Sequence, residues 1–415
     1  MSELSKCFYE VTAGKTCRDL CHPEYASCWL SFVNTALRLL PGAYKLYLTY
    51  LVIPPLVKGG GYTWQYWKDH FLSYSTASYK TYVIAVVGLT LQCAFYKLFG
   101  KLNYYWVMGF PGFFSAALSP KLNRIHLRLQ GITYFNMMLE VMLKKSKFRL
   151  LEVLRESKLC GMALFMIFNA RIMEVLQHGK VNQFWIMYPT KIREPNREEA
   201  DDSRVMGAIY PRAYKACSHE RSCDGFIFDG IWKYSFAGFI IEFARALITK
   251  FPLLYSNPAQ FLPGLRKILS FKLMFFLAAY IASYRAIGCL LCRHHGEDRP
   301  SHNRIASFLC GASYLIYPKY QVFTLAFTKF VEMSWEHLFT TGKDLPEWVW
   351  KMQRIPFLRI THACAVGYMY HALVFHSHLS PPFNSKAVNY CSDNRVERLK
   401  RRLLSWMLEH EWRKA

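Results

Sequence analysis

"YYWVMGFPGFFSAALSPKLNRIHLRLQGITYFNMMLEVM", residues 104–142, is the stretch on which the fold reading turns. It begins with glycines and small residues threaded through aromatic side chains without a charge, passes a basic patch, and ends in an apolar helix with one acid, Glu140. A lone carboxylate in an apolar helix costs about 3 kcal/mol at the centre of a bilayer, so it needs a partner. Lys144 lies four residues on, on the same helical face. The stretch therefore reads as half of a repeated, membrane-embedded helical unit.

The features of this stretch return later in the same order. "YKLFG" (96–100) matches "YRAIG" (284–288), "GFFSAALSPK" (112–121) matches "GASYLIYPK" (311–319), and "YFNMMLEVM" (134–142) matches "FTKFVEMSW" (327–335), which sets Glu140 opposite Glu332. Three further acids have a cation three residues away: Arg171 with Glu174, Glu242 with Arg245, and Lys329 with Glu332. Four acid–base pairs on four expected helices point to structural pairing inside a bundle rather than to catalytic acids. Gly112 with Ala116, Ser307 with Gly311 and Ala363 with Gly367 have the four-residue spacing that lets helix backbones approach in lipid.

Composition supports a lipid environment. The 415 residues are 53% apolar and 17% aromatic, high for a soluble chain of this size. The 52 Lys and Arg against 28 Asp and Glu leave a net charge of +24, suited to anionic head groups. No zinc-finger or RNA-recognition signature accompanies that charge, so nucleic acid is not the expected partner. Uncharged runs are short, at 81–96, 305–318 and 273–284. Crossing a hydrocarbon core takes about 20 residues, so flanking Tyr, Lys and Arg such as Lys97 and Arg285 must reach the head groups.

The expected architecture is all-α: a multi-pass helical membrane protein with two weakly similar helical repeats plus amphipathic helices. Residues 1–60 form a cysteine-bearing amino-terminal region with the first helices, broken at Pro41-Gly42. The first membrane repeat spans 61–188, a charged central loop 189–228, the second membrane repeat 229–380, and a basic amphipathic tail 381–415. In the tail, Leu399, Leu403, Trp406 and His410 share one face, as on an interfacial helix or one docked on its own protein. No apolar signal-peptide core or arginine-rich presequence is evident at the start.

Thirteen cysteines, an odd number, exclude a complete intrachain disulfide framework. Cys17, Cys21, His22 and Cys28 form one cluster and Cys217, His219 and Cys223 another. Thiolates and imidazoles at such separations can hold zinc, in each cluster or jointly, although neither spacing is that of a known finger; reduced structural cysteines are the other reading. His371, His376 and His378 do not align on one helical face. No nucleotide loop, phosphate cradle or recognisable nucleophilic triad occurs, so neither an enzyme nor a cofactor is expected.

"CHPEYASCWLSF" (21–32), "FYKLFGKLNYYWVMGFPGFFSAAL" (95–118), "CSHERSCDGF" (217–226) and "GASYLIYPKYQVFTLAFTKFVEMSWEHL" (311–338) together resemble the transmembrane protein 135 family, in the same order and across most of the chain. Part of that family is similar to the four-helix translocase subunits of the inner mitochondrial membrane. The likeness departs at "ERLKRRLLSWMLEHEW" (397–412) and in fewer central cysteines. It implies a multi-pass protein of mitochondrial and peroxisomal membranes, linked to mitochondrial fission, peroxisome organisation and lipid metabolism, with no catalytic residues to carry over. On this reading the central loop and the tail recruit a partner such as a dynamin-type fission GTPase. Two other readings are a lipid or metabolite transporter with a path lined by Glu140 and Glu332, and an acyl-handling enzyme using His371 or His376.

Overall fold

Local signals set the helix limits. In the computed structural model, which describes residues 3–48, 51, 55, 63–118, 124–178, 185–190, 217–219, 222–341 and 345–414, the chain is all-helical, with no strand among the described residues. The first three helices are α1 (Glu3–Thr12), α2 (Cys17–Cys21) and α3 (Cys28–Leu46). The Ser27 side chain accepts a hydrogen bond from the Leu30 N–H at 3.2 Å and so starts α3. Contrary to the expected break, α3 runs through Pro41. Gly42 beside it meets the Tyr390 carbonyl oxygen, where any side chain would collide.

Helix α4 (Trp64–Phe99) opens on Thr63, whose hydroxyl accepts from the Tyr66 N–H at 3.2 Å, and closes on Gly100 in the left-handed region at φ +67°. The chain continues through α5 (Gly109–Leu118), α6 (Arg124–Lys145), α7 (Arg149–Glu156) and α8 (Lys158–Gln177). After the central segment come α9 (Cys223–Ser256), α10 (Phe261–Ile268) and α11 (Lys272–His295), the last closed by Gly296 at φ +73°. Next are α12 (Pro300–Cys310), a 3-10 turn (Gly311–Ile316), α13 (Tyr320–Thr341), α14 (Glu347–Gln353), α15 (Phe357–Phe375), α16 (Pro382–Ser392) and α17 (Arg395–Lys414). The uncharged run at 305–318 is thus split between an α-helix and a 3-10 turn. Three helical stretches are long and apolar enough to cross a membrane: Trp64–Phe99, Lys158–Gln177 and Pro258–His295.

The chain forms two compact units, residues 1–146 with 348–415, and residues 147–347. In the first, α3 packs on α4, α4 on α5, and α15 on both α5 and α6. In the second, α9 packs on α11, α11 on α12, and α8 on both α12 and α13. These units do not follow the sequence halves: α8, from the 61–188 segment, belongs to the second, and α15, from the 229–380 segment, belongs to the first.

Close backbone approach fixes those central helices. A Cβ on Gly112 would stand 3.1 Å from the Gly367 Cα, and one on Gly367 2.7 Å from the Gly109 carbonyl oxygen. In the second unit, a Cβ on Gly311 would stand 2.8 Å from the Met166 Cα. Small residues are therefore needed where α5 meets α15 and where the 3-10 turn meets α8. Helix α8 is held further by a buried polar network. Trp185 Nε1 and the Tyr280 hydroxyl donate to Asn169 Oδ1 at 3.0 and 2.6 Å, while the Asn169 amide donates to the Ser307 carbonyl. The first unit's core is mainly apolar, with Phe8, Tyr104, Met108, Val366, Tyr370 and Leu373 in contact.

Of the two readings of the tail, the structure shows docking on its own unit. Val396, Leu399 and Leu403 are buried in the core, Arg402 donates to the Leu20 carbonyl at 2.8 Å, Lys15 sits over the Trp406 ring, and His410 lies 3.6 Å from Glu10.

Candidate metal centres

Local structure around α2 gathers the first cysteine cluster. The Asp19 carboxylate accepts from the Thr16 backbone N–H and hydroxyl, each at 2.8 Å, and the Asp19 N–H returns to the Thr16 hydroxyl at 3.4 Å. This reciprocal cap starts α2 at Cys17, and the Thr16 hydrogen bonds hold the Asp19 carboxyl below its usual range. Helix α2 stops after five residues, a turn follows in which the Tyr25 N–H bonds the His22 carbonyl at 3.0 Å, and Ser27 then starts α3 at Cys28. Cys17, His22 and Cys28 so fall on two helix starts and the turn between them.

The fourth member comes from far along the chain. Helix α2 packs on α4, whose late turn supplies Cys93. One ligand atom from each of Cys17, His22, Cys28 and Cys93 can be chosen so that all lie within 4.8 Å of one another. Cys17 Sγ is 3.7 Å from Cys28 Sγ and 3.9 Å from His22 Nε2. The other imidazole nitrogen, His22 Nδ1, is buried without a hydrogen-bond partner. Cys21 lines a small cavity of about 20 Å³ with His22, Cys28 and Cys93 but stands outside the four-atom set. Hydrogen bonding with Cys93 and burial push the Cys17 thiol up, and burial beside Cys17 pushes Cys28 up. Each is a neutral thiol at pH 7 unless a cation compensates a thiolate.

The second unit repeats this donor set. Cys217, His219 and Cys223 lie just before and at the start of α9, and the late turns of α11 supply Cys289. These four also fall within 4.8 Å of one another, with 3.9 Å between the Cys217 and Cys223 sulfurs and 3.3 Å between His219 Nε2 and Cys289 Sγ. The His219 ring stacks on Phe226 at 4.4 Å. Against them lies a further group, Cys292, Asp298 and His302, with Cys292 Sγ 3.6 Å from His302 Nδ1; Ser218 donates to Asp298 at 2.6 Å. Cys217, His219, Cys289, Cys292, Asp298 and His302 line one cavity of about 40 Å³, room for an ion or a water or two.

The two expected clusters are thus each completed within their own unit, by Cys93 and Cys289, which the sequence reading did not single out. A signal was available: both cysteines stand seven residues before the glycine that ends their helix, in "CAFYKLFG" (93–100) and "CLLCRHHG" (289–296). That alignment differs from the pairing of Gly100 with Gly288, which lies inside α11 rather than at its end. The carboxy-terminal histidines do not converge on a site. His376 caps α15 and contacts Lys145 at 2.8 Å, His371 packs on the Tyr104 ring, and His378 is exposed.

The four acid–base pairs all close within their helices. Lys144 meets Glu140 at 2.6 Å, Arg171 meets Glu174 at 2.8 Å, Arg245 meets Glu242 at 3.0 Å, and Lys329 meets Glu332 at 2.8 Å. Arg304 adds a second cation to Glu174 at 2.6 Å, and the Tyr317 hydroxyl donates to Glu242 at 3.4 Å. Glu140, Glu242 and Lys329 are buried. No protein-family model matches the chain, and no solved structure matches it.

Proposed function

We propose that the chain is a non-enzymatic, multi-pass protein of mitochondrial and peroxisomal membranes, acting in mitochondrial fission and peroxisome organisation with consequences for lipid metabolism. The observation that carries the membrane reading is the polarity of the units. Phe228, Trp232, Phe236 and Ile240, four residues apart on α9, are exposed, while Glu242 on the same helix is 2% exposed. An outward apolar stripe on a helix whose Glu242 carboxylate is buried and paired with Arg245 suits lipid as the surrounding solvent. The matching packing order of the two units supports reading them as two copies of one five-helix design.

The organelle and fission assignments rest on the resemblance to the transmembrane protein 135 family. Docking of α17 leaves the charged segment 189–224 as the recruitment surface for a dynamin-type GTPase; most of it lies outside the described residues. A transport path through Glu140 and Glu332 has less support, since both carboxylates are closed on neighbouring lysines.

The test is alkaline carbonate extraction of mitochondrial and peroxisomal fractions carrying a tagged chain. Retention in both membrane pellets is expected, and release into the supernatant refutes the membrane reading. Deletion of 191–216, which spares the cysteine cluster at the start of α9, should keep insertion and lose GTPase recruitment; undiminished recruitment removes the partner.

A further inference from the structure

We propose that each unit holds one structural zinc ion, bound by Cys17, His22, Cys28 and Cys93 in the first and by Cys217, His219, Cys223 and Cys289 in the second. This goes beyond the membrane reading and does not depend on it.

Geometry and recurrence carry the assignment. With zinc–sulfur bonds of about 2.3 Å and zinc–nitrogen bonds of about 2.1 Å, a tetrahedral site has edges of about 3.8 Å between sulfurs and about 3.6 Å between sulfur and nitrogen. The sulfur pairs here are 3.7 and 3.9 Å apart and the sulfur–nitrogen pairs 3.9 and 3.3 Å. A disulfide requires about 2.05 Å, so neither sulfur pair has that geometry.

The same Cys, His, Cys order followed by a helix cysteine occurs twice, on unrelated local spacings: Cys17, His22 and Cys28 against Cys217, His219 and Cys223. What the two sets share is three-dimensional. Each ties the segment that starts α3 or α9 to the late turns of the next long helix, α4 or α11, whose ends stand at equal distance from the cysteine. Three thiolates and one imidazole fill a tetrahedron, leaving no open position for substrate, so the ions are structural and not catalytic. Cys292, Asp298 and His302 lie against the second site as its surroundings.

The test is metal analysis of the full chain purified in detergent, under reducing and chelator-free conditions, after growth with added zinc. Two zinc ions per chain are expected. Cys93→Ser and Cys289→Ser should each lower this to one and the double variant to none, whereas Cys364→Ser and Cys292→Ser keep two. Cobalt-loaded protein should show thiolate-to-cobalt charge-transfer bands and the visible bands of a tetrahedral site, halved in each single variant.

Wild-type protein without zinc overturns the proposal, as does iron or copper in place of zinc, or an intact mass showing Cys17–Cys28 or Cys217–Cys223 disulfides. Retention of both ions by Cys93→Ser and Cys289→Ser overturns the ligand assignment. If those variants do not fold, mercurial release of zinc from the wild type, counted by a chromogenic chelator, still decides: two equivalents support the proposal and none refutes it.

Discussion

The two units use one packing order and two ways of holding their central helix. In the first, α15 is seated by glycine-to-glycine approach and a mainly apolar core. In the second, α8 meets one close backbone contact and hangs its Asn169 between Trp185, Tyr280 and Ser307. The difference teaches that the layout tolerates either shape or hydrogen bonding as its specifying device. A buried amide whose donors and acceptor are all satisfied can take the place of fitted shape, because leaving any of them unpaired in another packing is costly.

The largest effect is expected where charge is buried. Lys144→Met removes the cation closed on the buried Glu140 and should destabilise the first unit by about 3 kcal/mol in detergent denaturation, while Lys144→Met with Glu140→Leu recovers most of it. A double variant no better than the single breaks the view that these pairs are structural.

Next come the close approaches. Gly367→Ala and Gly311→Ala should each cost about 2 kcal/mol, since the added methyl meets backbone in both units. Unequal losses would show that one unit relies on its glycine more than the other. Asn169→Ala removes the shared acceptor of Trp185 and Tyr280 and should cost about 2 kcal/mol, with a change in tryptophan fluorescence. The smallest effect has the opposite sign. Gly288 lies within α11 with open space around its Cα, so Gly288→Ala should stabilise by about 1 kcal/mol.

Much of the local architecture was legible. The acid–base pairs follow from three- and four-residue spacing, a local rule, and the caps at Ser27, Thr63 and Gly100, seen only in the structure, obey rules just as local. What was not legible is which helices keep company. Nothing in the sequence of α8 or α15 says that each leaves its neighbours in the chain, since apolar helices offer alternative partners and the choice rests on backbone fit at Gly367 or Met166. Three of the four residues of each candidate metal centre could be read, since Cys17, His22 and Cys28 or Cys217, His219 and Cys223 lie close in sequence. Cys93 and Cys289 are brought in by tertiary packing of a long helix, with only their equal distance from the closing glycine to mark them in the sequence, and Cys21 stays outside the set.

The exchange of α8 and α15 between the halves of the chain is tested most directly by photo-cross-linking. A photoreactive phenylalanine at position 113, against Gly367, is irradiated in the membrane-inserted full chain, which is then cut at a protease site placed within 191–216. The account predicts that the two fragments stay covalently joined on a denaturing gel, through α5 and α15. Fragments that separate completely after irradiation would contradict it and restore the sequence halves as the folding units.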